Sequence, residues 1–151
     1  MAAPPFAPSL KGRALRYLAA REHSRAELER KLAAHEEAPG QLAHALDELQ
    51  AGGFIDEARV VESVIHRRAA RQGAARVRQD LQARGVAPEA IAEAVDRLRS
   101  TELERAREVW RRKFGEPAVD AAGRARQMRF LGARGFAPEV IRRVVAGGDE
   151  E

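Results

Sequence analysis

Three stretches of this 151-residue chain follow the same pattern at intervals of 49 and 50 residues. Leu32, Leu81 and Leu131 keep that spacing, as do Pro39, Pro88 and Pro138 and the apolar positions Leu42, Ile91 and Ile141. Ser24, Gly73 and Gly123 stand at matching places where a helix is expected to open. The later two copies share wording, Leu81-Gln82-Ala83-Arg84-Gly85-Val86-Ala87-Pro88 against Leu131-Gly132-Ala133-Arg134-Gly135-Phe136-Ala137-Pro138. A unit this short, made of three short helices, cannot bury its own apolar face, so the copies must stack. The repeat therefore predicts an all-α chain of three tandem three-helix repeats forming an elongated, curved helical array.

Composition agrees with helix. Aromatic residues make up only 5% of the chain, while Ala, Leu, Arg and Glu, all strong helix formers, are abundant. The expected organisation is a disordered lead-in at 1–8, repeats at 9–53, 54–99 and 100–146, and a flexible acidic tail at 147–151. In the first repeat, helices are expected from about Ser9 to Arg21, with Leu10, Ala14, Tyr17 and Leu18 on one side; from Ser24, which forms a capping box with Glu27; and from Pro39, with Leu42, Leu46 and Leu49 inward. Gly52 and Gly53 stop the third, Phe54 and Ile55 follow as an apolar plug, and Asp56 caps the next helix with Glu57 in its first turn. Ala58, Val60, Val61, Val64 and Ile65 mark that helix's buried stripe. Gly73 separates it from a helix carrying Val77 and Leu81 inward.

The third copy is expected to open with a capping box of Thr101 and Glu104, with Leu103, Ala106, Trp110 and Phe114 as its buried stripe. Gly115 and Pro117 end that helix; the next, opening at Gly123, brings Met128 and Leu131 inward, and the last runs from Pro138 to about Ala146.

Charge is unevenly placed. Residues 1–57 carry 7 basic and 9 acidic side chains, whereas residues 58–146 carry a net +9, nearly all of it arginine. Arginine outnumbers lysine 24 to 3, which a GC-rich coding sequence would also supply. Arg67, Arg68, Arg71, Arg76 and Arg78 flank the Gly73 break with few acidic neighbours, and Arg105, Arg107, Arg111, Arg112 and Lys113 crowd the first helix of the third copy. Such a field attracts polyanions and acidic protein surfaces alike.

Catalytic and metal chemistry find little to work with. There is no phosphate-binding loop, dinucleotide fingerprint, H-E-x-x-H or G-x-S-x-G, and no cysteine; His23, His35, His44 and His66 lack partners at metal spacing. No catalytic residue, metal ligand or cofactor is expected. No apolar run approaches the roughly 18 residues of a membrane helix, and the start lacks the features of a secretory signal, so a cytoplasmic location without membrane contact is expected.

Three groups of residues belong together: Ala14-Leu15-Arg16-Tyr17-Leu18 through Ser24, Glu27-Leu28 and Lys31-Leu32; Gly53-Phe54-Ile55-Asp56-Glu57, Arg68, Gly73, Val77, Asp80-Leu81 and Arg84-Gly85-Val86; and Arg129-Phe130-Leu131 with Arg134-Gly135-Phe136. In order and spacing they resemble the RecX family, small all-helical regulators of the RecA recombinase. The resemblance spans all but the ends. It departs from the family's habit at Val60-Val61, where an aromatic is usual, and at Asp80, where Glu is usual.

The resemblance implies a non-enzymatic inhibitor that lies along the groove of the RecA–DNA filament, bridges adjacent protomers, and suppresses strand exchange, ATP hydrolysis and the SOS co-protease activity. The contact candidates are Arg67, Arg68, Arg71, Arg76, Arg78, Arg84, Arg111, Arg112, Lys113, Arg124, Arg126, Arg129 and Arg134. Gly53, Phe54, Asp56, Glu57, Gly73, Leu81, Gly85, Gly135 and Phe136 hold the motif in shape. A monomer is expected. The competing reading is a protein that binds single-stranded or duplex DNA directly through phosphates; no Asn is present to read adenine, so arginine faces favour phosphate over base contacts. A third is a structural adaptor using the apolar stripes.

Overall fold

The computed structural model describes residues 7–147; apart from Ala7, Pro8 and Gly147, the expected lead-in and tail lie outside the described residues. Those residues form nine α-helices and no strand: α1 (Leu10–Ala20), α2 (Arg25–Leu32), α3 (Gln41–Ala51), α4 (Glu57–Arg68), α5 (Ala74–Ala83), α6 (Pro88–Arg99), α7 (Glu102–Lys113), α8 (Ala121–Ala133) and α9 (Pro138–Val145). A single 3-10 turn, Ala33–His35, follows α2. The chain divides into two compact units. Residues up to Ser63 with Arg84–Val86 form one, and Val64–Ala83 with the residues from Ala87 onward form the other.

In the amino-terminal unit, α1, α2 and α3 close around Leu10, Ala14, Leu28, Leu32, Leu42, Leu46, Leu49 and Ile55. Caps set the boundaries. Ser9 Oγ accepts from the Gly12 N–H at 3.0 Å, and Ser24 and Glu27 form the reciprocal capping box. Pro39 does not open α3: Gly40, at φ 84°, precedes the helix, and the Glu36 carboxylate accepts the Leu42 N–H at 2.7 Å. The end of α3 is a Schellman turn, with Gly53 at φ 81° and the Phe54 N–H reaching back to the Leu49 carbonyl at 2.9 Å. That turn throws Phe54 outward, so Phe54 is 52% exposed and Ile55 alone is the plug. Asp56 caps α4 through the Arg59 N–H at 3.2 Å; Val60, Val61 and Val64 of α4 are buried, while Ala58 faces solvent.

In the carboxy-terminal unit, α5 packs on α6, and α7, α8 and α9 enclose Ala106, Val109, Leu131, Phe136, Ile141, Val144 and Val145. Two helix starts depart from expectation. Thr101 makes no capping box with Glu104; its hydroxyl donates to the Leu98 carbonyl at 3.2 Å, and Glu104 accepts from Arg107. α8 opens at Asp120, whose carboxylate accepts the Gly123 N–H at 2.7 Å, so Gly123 lies inside the helix. Met128 is exposed and Gln127, one turn before Leu131, is buried; Gln127 accepts from Trp110 Nε1 at 3.0 Å and donates to the Glu116 carbonyl at 3.0 Å.

The shared Arg-Gly wording of the later copies builds the same junction twice. In the amino-terminal unit the Ser24 hydroxyl donates to the Arg84 carbonyl, and a Cβ on Gly85 would meet Ala26 Cβ at 2.6 Å. In the carboxy-terminal unit the Gly73 N–H donates to the Arg134 carbonyl at 2.8 Å, and a Cβ on Gly135 would meet Arg76 N at 2.8 Å. In each, the turn after one copy's middle helix docks on the start of the preceding copy's middle helix. The approach is too close for a side chain, against the Ala26 methyl at Gly85 and against backbone at Gly135.

Candidate functional site

Charged side chains in a helical repeat fall into two kinds: those consumed in holding helices together and those left facing solvent. The structure separates them residue by residue.

Glu27 is the consumed anion of the amino-terminal unit. Only 5% exposed, it accepts from Arg21 Nη2 at 2.7 Å, from the Ser24 N–H at 3.1 Å and from Arg84 Nη1 at 3.4 Å. Burial alone would raise its pKa, but Arg21, the Ser24 N–H and Arg84 outweigh it and hold the carboxyl at about 2. Beside it, His23 is buried, its Nδ1 3.0 Å from the Arg21 carbonyl and its Nε2 2.9 Å from Lys31 Nζ. A carbonyl needs a donor and an ammonium an acceptor, so the ring is neutral with its proton on Nδ1. Burial pushes its pKa down, as do the charges of Arg21 and Lys31.

Glu102 and Arg105 play the corresponding part in the carboxy-terminal unit. Glu102, 3% exposed, accepts the Ala74 N–H at 2.6 Å with one oxygen and the Ala137 N–H at 3.0 Å with the other. One carboxylate thus caps α5 and α9. Arg105 donates to the Ala69, Gln72 and Leu98 carbonyls at 2.9, 2.5 and 2.9 Å, closing the ends of α4 and α6, and burial lowers its pKa while Glu102 opposes that. Arg105 is therefore structural, not part of a cationic face. Only the Glu-x-x-Arg spacing hints at the pair; its partners, 28 to 36 residues away, cannot be read from the sequence.

Among the contact candidates, several have internal partners. Arg68 pairs with Asp80 and also donates to Gln72 at 3.2 Å, so the expectation of too few acidic neighbours fails there. Arg84 meets Glu27, and its side chain is 13% exposed. Arg76 donates to the Ala133 carbonyl at 3.0 Å. Arg111 and Arg112 share Glu108, at 3.7 and 3.0 Å. Lys113 and Arg134 stand over the Phe130 ring, 5.4 and 4.8 Å from its centroid. Arg67, Arg71, Arg124, Arg126 and Arg129 are exposed and Arg78 half-buried, and none of the six has a carboxylate within ion-pair distance among the described residues.

Part of this basic surface is concave. A cleft of 310 Å³ in the carboxy-terminal unit is walled by Arg71, Arg112, Lys113 and Arg134, with Glu108 the lone carboxylate and Ala70, Val109 and Phe130 supplying apolar surface. Elsewhere the charged groups offer little: no group of three metal-ligating side chains occurs among the described residues, and His44 meets a single carboxylate, Glu48, at 2.7 Å. No described helix is long and apolar enough to cross a membrane.

The repeat is matched in other proteins. Residues 11–49, 56–95 and 100–145 match family models described as the first, second and third three-helix domains of RecX. Regulatory protein RecX of Leptothrix cholodnii is 59% identical over 143 residues, covering 95% of this chain and 91% of its own. Regulatory protein RecX of Ralstonia nicotianae is 46% identical over 149 residues, covering 99% and 94%. The crystal structure of RecX from Lactobacillus salivarius shares the fold, with a TM-score of 0.69 at 19% identity over 93% of this chain and 94% of that one. Three domains matched in order, and relatives matched over nearly their full length, place the chain in the RecX family.

Proposed function

We propose that this chain is a non-enzymatic inhibitor of the RecA recombinase that binds the RecA–DNA filament along its helical groove and suppresses strand exchange, ATP hydrolysis and SOS co-protease activity in the cytoplasm. The supporting observation is the surplus of arginines without carboxylate partners among the described residues, Arg67, Arg71, Arg78, Arg124, Arg126 and Arg129, on a member of a family of regulatory proteins. A guanidinium left in water keeps its hydration and its charge until an acidic partner arrives, so it contributes to association rather than to folding. Repeats at 9–53, 54–99 and 100–146 would each meet a successive stretch of the filament. The sequence holds no nucleotide loop, so any change in ATP turnover acts through RecA by favouring one filament state.

The test is RecA ATPase on single-stranded DNA with and without the chain. Inhibition that grows with its concentration is expected; unchanged turnover at saturating chain would refute the proposal. A second reading, direct DNA binding through phosphates, draws on the same arginines. It predicts tight binding to naked DNA whose affinity falls with salt at a slope of about 0.9 per neutralised phosphate. Tight DNA binding without any effect on RecA filaments would favour it.

A further inference from the structure

The cleft between the end of α7, the turn after α4 and α8 is a different object from the exposed arginines around it. Its rim has four cations to one carboxylate, and that carboxylate, Glu108, is already shared by Arg111 and Arg112. Arg71 has no carboxylate within ion-pair distance among the described residues. Lys113 and Arg134 rest on the Phe130 ring rather than against an acid. The rim therefore keeps a surplus of about three positive charges beside a floor of Ala70, Val109 and Phe130.

Two chemistries satisfy such a rim, and the floor decides between them. A nucleic-acid strand brings phosphates and flat bases, but a base could stack on Phe130 only by displacing the cations that already stand there, and Phe114 meets the same ring edge-on at 5.4 Å. An acidic peptide brings carboxylates for the guanidinium forks and an aliphatic side chain for the floor. At 310 Å³ the cleft lies near the small end of ligand pockets, about 300–1,000 Å³, and holds one or two side chains rather than a folded surface.

We propose that this cleft is a docking site for a short acidic peptide segment of a partner protein, in which carboxylates meet Arg71, Arg112 and Lys113 while an interleaved aliphatic side chain, which needs no clear ring face, packs on Ala70 and Val109. The site shares Arg71 with the surface proposed to meet the filament, but its test contains no RecA, so either proposal can fail alone.

The probe is a short fluorescein-labelled peptide of alternating glutamate and leucine, followed by anisotropy against the full chain. Saturable binding is expected, weakened about tenfold by Arg71→Glu and by Lys113→Glu, since each reverses a charge-assisted contact. The pair Arg124→Glu and Arg126→Glu, on α8 but outside the cleft, is expected to change it less than threefold. Replacing the leucines by serine is expected to weaken binding as well. The Arg71 side chain has no ion pair to lose among the described residues, so its variant reads binding even if Lys113→Glu disturbs Phe130. No saturable binding, equal binding of the serine peptide, or equal loss in the Arg124/Arg126 variant would overturn the proposal. So would displacement of the peptide by an oligothymidylate of matched charge at lower concentration, which would mark a phosphate-backbone site.

Discussion

The two units differ in how many of their cations are answered. In the amino-terminal unit about half meet an acid, though among the described residues Arg13 and Arg16 do not: Lys11 meets Glu48 at 2.9 Å, Arg21 Glu27 at 2.7 Å, Arg25 Asp47 at 2.7 Å and Arg59 Glu22 at 3.0 Å. In the carboxy-terminal unit fewer cations are answered. Glu102 is buried capping two helices and Glu108 serves two arginines, and among the described residues Arg67, Arg71, Arg78, Arg124, Arg126 and Arg129 have no carboxylate within ion-pair distance. Cationic surface is left over where acids lie out of reach, and the one buried carboxylate among the described residues of the basic unit, Glu102, serves to assemble it.

That contrast can be broken first at its buried anions. Glu102→Ala orphans two backbone N–H groups and leaves Arg105 without its acid, and is expected to cost about 3–5 kcal/mol in urea unfolding. Loss below about 1 kcal/mol would mean that water replaces the carboxylate. Gly135→Ala, forced to φ 86° with Arg76 N only 2.8 Å from the new Cβ, is expected to cost about 2–4 kcal/mol by the same measurement.

The amino-terminal unit carries the acid sensitivity. Glu27 has a folded pKa near 2 against 4.5 for the unperturbed carboxyl, so its contribution is complete above 4.5 and lost as pH falls toward 2; the shift corresponds to at most about 3 kcal/mol. Thermal melts of Glu27→Gln should lack that acid limb. His23 acts at higher pH: its folded pKa lies below 6.5, so the unfolded chain takes the proton first and stability falls as pH drops through 6.5. A smaller effect is expected there, and it should flatten in His23→Gln.

Much of this was legible from spacing. The 49- and 50-residue intervals locate the middle helix of every copy, and Ser24 with Glu27 names its own cap. The failures share a cause, the difference between a residue's polarity and its position in a turn. Phe54 is apolar yet occupies the outward place of a Schellman turn. In α8 the buried stripe runs through Gln127 and Leu131, four apart, rather than through Met128; Gln127 is tolerated because both ends of its amide are satisfied. The candidate surface was legible only as a composition. Which arginines stay unpaired depends on acids brought from far along the chain, as with Glu27 and Arg84, 57 residues apart.

The central claim is that unpaired arginines of the carboxy-terminal unit, not net charge as such, meet the filament. It is tested most directly by the concentration giving half inhibition of RecA ATPase for two charge-matched variants. One carries Arg67→Glu, Arg78→Glu and Arg129→Glu; the other Lys11→Glu, Arg13→Glu and Arg16→Glu in the amino-terminal unit. A rise of about tenfold or more is expected for the first and less than threefold for the second, with both melting like the parent chain. Equal rises in the two would contradict the claim and reduce the surface to its overall charge.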